Sequence, residues 1–137
     1  MTLELAFTSW TALLAASLWI PYIVGVNTAP AGDGHDRTDF SRPGDPARER
    51  PWVHRAYRAH LNLLEQFLPL AALVLIAHQT GVSSPVTVWA TGLFLLLRVV
   101  HAIGMISGAL RFPARPIVFT AGWLCVVAVG VEVLRLG

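Results

Sequence analysis

Residues 5 to 32 carry no formally charged side chain. The helix-forming part of that run, from about Leu5 to Val26, has the length needed to cross a bilayer. Three more apolar stretches follow. One lies in a helix predicted over about 52–79, the next over about 86–110, and the last over about 117–134. A small soluble domain must cover a large surface with polar groups. This chain has 55% apolar and 13% charged residues and a mean hydropathy of +0.59, a poor match to that requirement. The pattern predicts an all-α integral membrane bundle of four helices. It forms a single domain over 1–137, with both termini on one side.

The connections differ in character. Ala29 to Pro51 reads as a polar loop, with Pro30, Gly32, Gly34, Pro43, Gly44 and Pro46 set among charges. Gly81 to Pro85 reads as a tight turn, and the stretch around Arg111, Pro113, Arg115 and Pro116 closes the third span. Arginines flank the first and third connections but not the second. The positive-inside tendency therefore places loops 27–55 and 111–116 in the cytosol, as in a bacterial inner membrane. Six arginines fall between Arg37 and Arg58, yet Asp33, Asp36, Asp39, Asp45 and Glu49 are interleaved with them. A nucleic-acid footprint needs a purer basic patch. Glu4 is the only charge before Asp33, so the first segment lacks the positive flank of a signal peptide and reads as an uncleaved helix. Pro21 predicts a bend in it. Cys125 is the only cysteine, and its apolar neighbours point to a packing role.

The second and third spans carry polar groups at membrane depth. Arg58, Asn62 and Glu65 stand at i, i+4 and i+7, which places them on one helix face. His54 precedes the set by one turn and His60 lies to its side. Arg98, His101 and Met105 follow similar spacing in the third span. Lipid exposure of such groups is costly, so they should face protein. Three uses remain open on spacing alone: contacts that hold the bundle together, a polar ligand pocket, or an ion path. The histidines match no zinc pattern. Gly104 and Gly108 form a G-x-x-x-G pair, which predicts close helix approach, and Gly92 suggests the same. Trp52, Trp89 and Trp123 read as interfacial or packing residues. Glu132 pairs across helices or sits beside Arg135 near the headgroups.

The run Glu49-Arg-Pro51, then Arg58-Ala-His60-Leu-Asn62-Leu-Leu-Glu65 and Pro69, resembles the MAPEG superfamily, the membrane-associated proteins of eicosanoid and glutathione metabolism. Arg98-Val-Val-His101 and Leu110-Arg111-Phe-Pro113-Ala-Arg115-Pro116 extend the likeness over most of the chain, as in a bacterial-type member. The resemblance implies a homotrimer of four-helix subunits that binds glutathione as co-substrate between neighbours. It implies that Arg58, Asn62, Glu65, Arg98 and His101 bind glutathione and that Arg115 activates its thiol as the catalytic residue. The arginine at 115 matches with a one-residue length change. The implied activity is a glutathione-dependent transferase or peroxidase acting on a hydrophobic small molecule that arrives through membrane lipid. The alternative is a catalytically silent protein of the same fold, with a structural or ligand-binding role; a small transporter subunit is a third option. Met105 stands where several family enzymes have tyrosine, and Leu61 where some relatives have arginine. Tyr22 and Tyr57 are candidates to supply missing donors, or packing residues.

Overall fold

The computed structural model describes residues 1–28, 36, 38, 39, 41 and 44–137. Much of the predicted polar loop, including Pro30, Gly32, Gly34 and Pro43, lies outside the described residues. Five α-helices follow in order: α1 (Leu3–Ser17), α2 (Ile20–Thr28), α3 (Pro51–Thr80), α4 (Pro85–Ser107) and α5 (Ala114–Leu136), with a short 3₁₀ turn at Pro46–Arg48. They make four candidate membrane spans, because α1 and α2 together form one apolar stretch over Leu3–Thr28. The protein is an all-α, four-span integral membrane bundle.

The first span breaks where the chemistry demands it. Pro21 has no N–H to give the Ser17 carbonyl, so the α-helical ladder stops at Ser17 and restarts at Ile20. The predicted bend therefore lies ahead of the proline. Gly25 lets α2 lie tight on α3, since a Cβ there would stand 2.6 Å from Val53 Cγ2 and 2.8 Å from Trp52. Tyr22 of α2 stacks at a tilt on Tyr57 of α3, with ring centroids 5.1 Å apart.

Helix α3 starts with Pro51 in its first turn, where an N–H is not needed. Pro69 sits inside it and removes the N–H that would pair with the Glu65 carbonyl. Gly81 ends the helix in a left-handed conformation (φ 72°), and Val82 N–H returns to the Ala77 carbonyl at 2.8 Å. Ser84 then opens α4 with a reciprocal cap, its Oγ accepting from Thr87 N–H while Thr87 Oγ1 accepts from Ser84 N–H.

Two boundaries differ from the sequence reading. Helix α4 stops at Ser107 instead of near 110, because Gly108 turns left-handed (φ 79°). Helix α5 begins at Ala114, so Arg115 and Pro116 belong to its first turn and not to a loop. A proline at that point costs no hydrogen bond, since first-turn N–H groups have no intrahelical partner. The glycine pair does more than permit close approach. Gly104 and Gly108 shape the end of α4: Leu110 N–H reaches the Gly104 carbonyl at 2.9 Å, and a Cβ at Gly104 would stand 2.7 Å from Leu110 Cβ. Gly92 does serve helix approach, with the Phe7 ring of α1 against it.

The interior is filled by Leu63, Leu70 and Val74 of α3, Phe94 of α4 and Val129 of α5. In lipid such packing contributes through dispersion and close fit, because the surrounding chains are equally apolar. Cys125 is buried within this core.

Candidate functional site

Two ends of the bundle carry polar side chains. At the end where α3 turns into α4, two buried acids reach in from the terminal helices. Glu4 Oε1 accepts from Ser83 Oγ at 2.7 Å and from Thr87 Oγ1 at 2.8 Å. Glu132 Oε2 accepts from Ser84 Oγ at 2.9 Å, while its Oε1 pairs with Arg135 at 3.1 Å. Glu132 thus pairs across helices and with Arg135 at once. Each residue is only 6% exposed, and each carboxylate is hydrogen-bonded.

The other end holds a cavity of about 510 Å³. Its polar wall is Arg58 and Asn62 from α3, His101 from α4, Arg111 from the α4–α5 connection and Arg115 from the first turn of α5. Leu110, Phe112, Pro116, Phe119 and Thr120 complete it. Among the described residues no carboxylate lines this cavity, so three arginines face one space. Neither Arg58 nor Arg115 makes an ion pair among the described residues. His101 is buried, and its Nε2 has no hydrogen-bond partner among them. Arg98 Nε and Nη1 and Gln66 Oε1, deeper in the bundle, share that feature. The volume lies in the range of ordinary small-molecule sites.

The predicted residues separate into three groups. Arg58, Asn62, His101 and Arg115 come together in the cavity. Glu65 does not line it. Relative to Arg58, Asn62 is rotated about 40° one way and Glu65 about 20° the other, by helix geometry. Asn62 therefore turns into the bundle and is buried, while Glu65 faces outward and is exposed. Arg98 does not line the cavity either. It is 1% exposed, and its Nη2 donates to the Phe119 carbonyl at 3.3 Å. Its guanidinium lies over Phe94 and Phe119, 5.1 and 5.6 Å from the ring centroids. Gln66 Nε2 donates to the same carbonyl at 3.1 Å. Gly122 makes room for both: a Cβ there would collide with Arg98 Nη2 and stand 2.8 Å from Gln66 Oε1. Met105 is buried in the core and is absent from the cavity wall.

Arg111, Phe119 and Thr120 are cavity residues that the sequence reading left unassigned. Arg111 stands four residues before Arg115, and the Arg115 N–H bonded to the Arg111 carbonyl at 2.9 Å sets them one turn apart on the same cavity. A second, larger cavity of about 900 Å³ runs along α4 and α5, between Trp89, Leu93, Ala121 and Cys125, with Phe7 of α1 at its side. Its lining is apolar side chains, glycine and proline.

Comparison with known proteins agrees with this architecture. The chain is 34% identical over 99 residues to prostaglandin E synthase of Macaca fascicularis, an alignment covering 70% of this chain. It spans 64% of the length of that relative. Residues 7–135, nearly the whole chain, match the MAPEG family. A four-span bundle matched over that length belongs to the MAPEG family.

Proposed function

We propose that this protein is a glutathione-dependent transferase or peroxidase acting on a hydrophobic electrophile within the membrane. The observation that carries the reading is the cavity with Arg58, Arg111 and Arg115 on its wall and no carboxylate among the described residues. Glutathione has two carboxylates, an amine, peptide groups and a thiol. Arginine pairs with carboxylates through two parallel hydrogen bonds, and Arg58 and Arg111 are placed to do so. Asn62 and the unpartnered Nε2 of His101 are suited to the peptide groups. Arg115, exposed in the first turn of α5, is placed to favour the thiolate over the thiol. The thiolate is the nucleophile that such chemistry uses. The apolar cavity along α4 and α5 offers room for a hydrophobic molecule.

Self-association as a trimer belongs to the same reading. Glu65 is the middle of a 30-residue helix, yet its side chain is exposed. A charge facing lipid at that depth costs about 2.5–3.5 kcal/mol. Pro69 leaves the Glu65 backbone carbonyl without its helical partner as well. A neighbouring copy covers both groups and brings Glu65 toward the amine of a ligand held at the subunit boundary. The cationic end then faces the cytosol, in line with its arginines.

Titration of detergent-solubilised protein with glutathione tests the reading. Saturable binding is expected, weakened at least tenfold by Arg58→Ala and by Glu65→Ala. No binding at millimolar glutathione overturns it. Arg58→Ala that breaks up the oligomer without altering binding favours a structural role for the polar stripe instead.

A further inference from the structure

Arg55 lies on α3 one turn before Arg58, and its partners are on another helix. Its Nε donates to the Met105 carbonyl at 2.9 Å and its Nη2 to the Ile106 carbonyl at 3.3 Å. These are carbonyls of the last turn of α4, where a helix runs out of N–H donors and its dipole is negative. A guanidinium answers both needs at once: it supplies two N–H groups in a fixed fork and a positive charge. Gly108 stands at the contact, and a Cβ there would be 3.1 Å from Arg55 Nη2. Glycine at 108 therefore serves two purposes, the left-handed turn and the approach of Arg55.

The turn that Arg55 holds aims the rest of the connection. Gly108 N–H returns to Met105 and Leu110 N–H to Gly104, which folds Leu110 back over α4. Arg111 and Phe112 follow directly and line the cationic cavity, and Arg115 comes one turn of chain later. Arg111 Nε is itself tied to the Gly108 carbonyl at 3.4 Å. Like charges at Arg58, Arg111 and Arg115 repel, and among the described residues no carboxylate on the cavity wall opposes that repulsion. A connection held only by its own backbone would let Arg111 and Arg115 drift away from Arg58. The bridge from Arg55 joins the helix carrying Arg58 to the turn carrying Arg111.

We propose that Arg55 is a positioning residue for the anion site: it clamps the end of α4 to α3, so that the three cavity arginines stay within reach of one ligand before that ligand binds. The effect is preorganisation, which raises affinity by removing an ordering cost. The inference uses the glutathione reading for its ligand, and the clamp itself has a readout that needs no ligand.

The experiment compares wild type, Arg55→Gln and Arg55→Lys as full-length protein in detergent. Hydrogen exchange without ligand should quicken in Arg55→Gln at the Gly108 and Leu110 amides and stay unchanged at Gly81 and Val82, at the far end of the bundle. Glutathione affinity should fall about tenfold in Arg55→Gln. Arg55→Lys keeps the charge but not the fork, and should fall between the two. Exchange that is unchanged at Gly108 and Leu110, or that quickens equally at Gly81 and Val82, overturns the clamp. Unchanged affinity in Arg55→Gln, with wild type binding normally, overturns the positioning role. If wild type binds no glutathione, the functional reading falls, and the exchange pattern still decides whether Arg55 clamps the turn. Should Arg55→Gln fail to fold, Arg55→Lys carries the same comparison.

Discussion

The two polar ends of the bundle solve opposite problems. At the α3–α4 turn, Glu4 and Glu132 are buried; Glu4 receives the hydroxyls of Ser83 and Thr87, and Glu132 that of Ser84. Acids and donors there satisfy one another. At the cavity end, among the described residues, Arg58 and Arg115 have no carboxylate partner and His101 Nε2 has no hydrogen-bond partner. A closed network ties elements together, whereas a set of donors without acceptors is arranged for something that arrives. On the proposed function, the comparison separates polar groups that serve the fold from polar groups that serve a ligand. Composition and depth in the membrane do not separate them.

The sharpest break of that comparison is the double variant Arg111→Ala with Arg115→Ala. Each side chain removed gives up a charge-assisted contact of about 1.5–3 kcal/mol with an anionic ligand. Glutathione binding should weaken by about a hundredfold or more, while the melting temperature in detergent stays near that of wild type. Both side chains are on the surface of the cavity and pack against little. A large drop in melting temperature with intact binding would reverse the roles assigned to this end.

Glu132→Ala probes the other end and should show the converse. It strands the Ser84 hydroxyl and Arg135 and empties a buried position, costing about 2–3 kcal/mol of stability. Glutathione affinity measured below the melt should not change. Ser84→Ala is the milder version. It deletes the α4 cap and the hydrogen bond to Glu132, and about 1–2 kcal/mol is expected from the cap. Thermal melts of the purified protein read both, and a change in ligand affinity from either would couple two ends that the structure keeps apart.

The spans were legible because apolar length is a one-dimensional property, and so were their ends wherever proline or glycine marked them. Gly81 is an example. Pro116 misled for a physical reason: proline ends a helix from inside but is harmless in a first turn, and sequence alone does not say which applies. The site was legible only as far as helical periodicity carries. It grouped Arg58 with Asn62 correctly in space, but it could not tell that the bundle surface runs between Asn62 and Glu65. Arg55, Gln66 and Glu4 take their partners from chain segments 50 to 83 residues away. Those pairings are set by the register of packed helices, which no local pattern encodes. The G-x-x-x-G pair shows the same limit, since its spacing fits a helix contact and a helix cap equally well.

The smallest expected effect is the most discriminating. Both hydrogen bonds that reach Glu4 from the α3–α4 turn end on the same atom, Oε1. A glutamine offers a carbonyl oxygen in that place, so Glu4→Gln keeps both acceptor positions and loses only the charge. Its second head atom becomes an NH₂ group, which needs an acceptor of its own, and the bonds to a neutral oxygen are weaker than to a carboxylate. A loss of about 1 kcal/mol or less is expected, seen as a shift of a few degrees in the melt. The matching swap at the cavity, Arg115→Gln, also keeps hydrogen-bonding groups and removes a charge, yet it should weaken glutathione binding severalfold and flatten its dependence on salt. If Glu4→Gln instead costs as much as Glu132→Ala, then the charge at the turn is itself needed. The closed end would then depend on ionisation as much as the open one does.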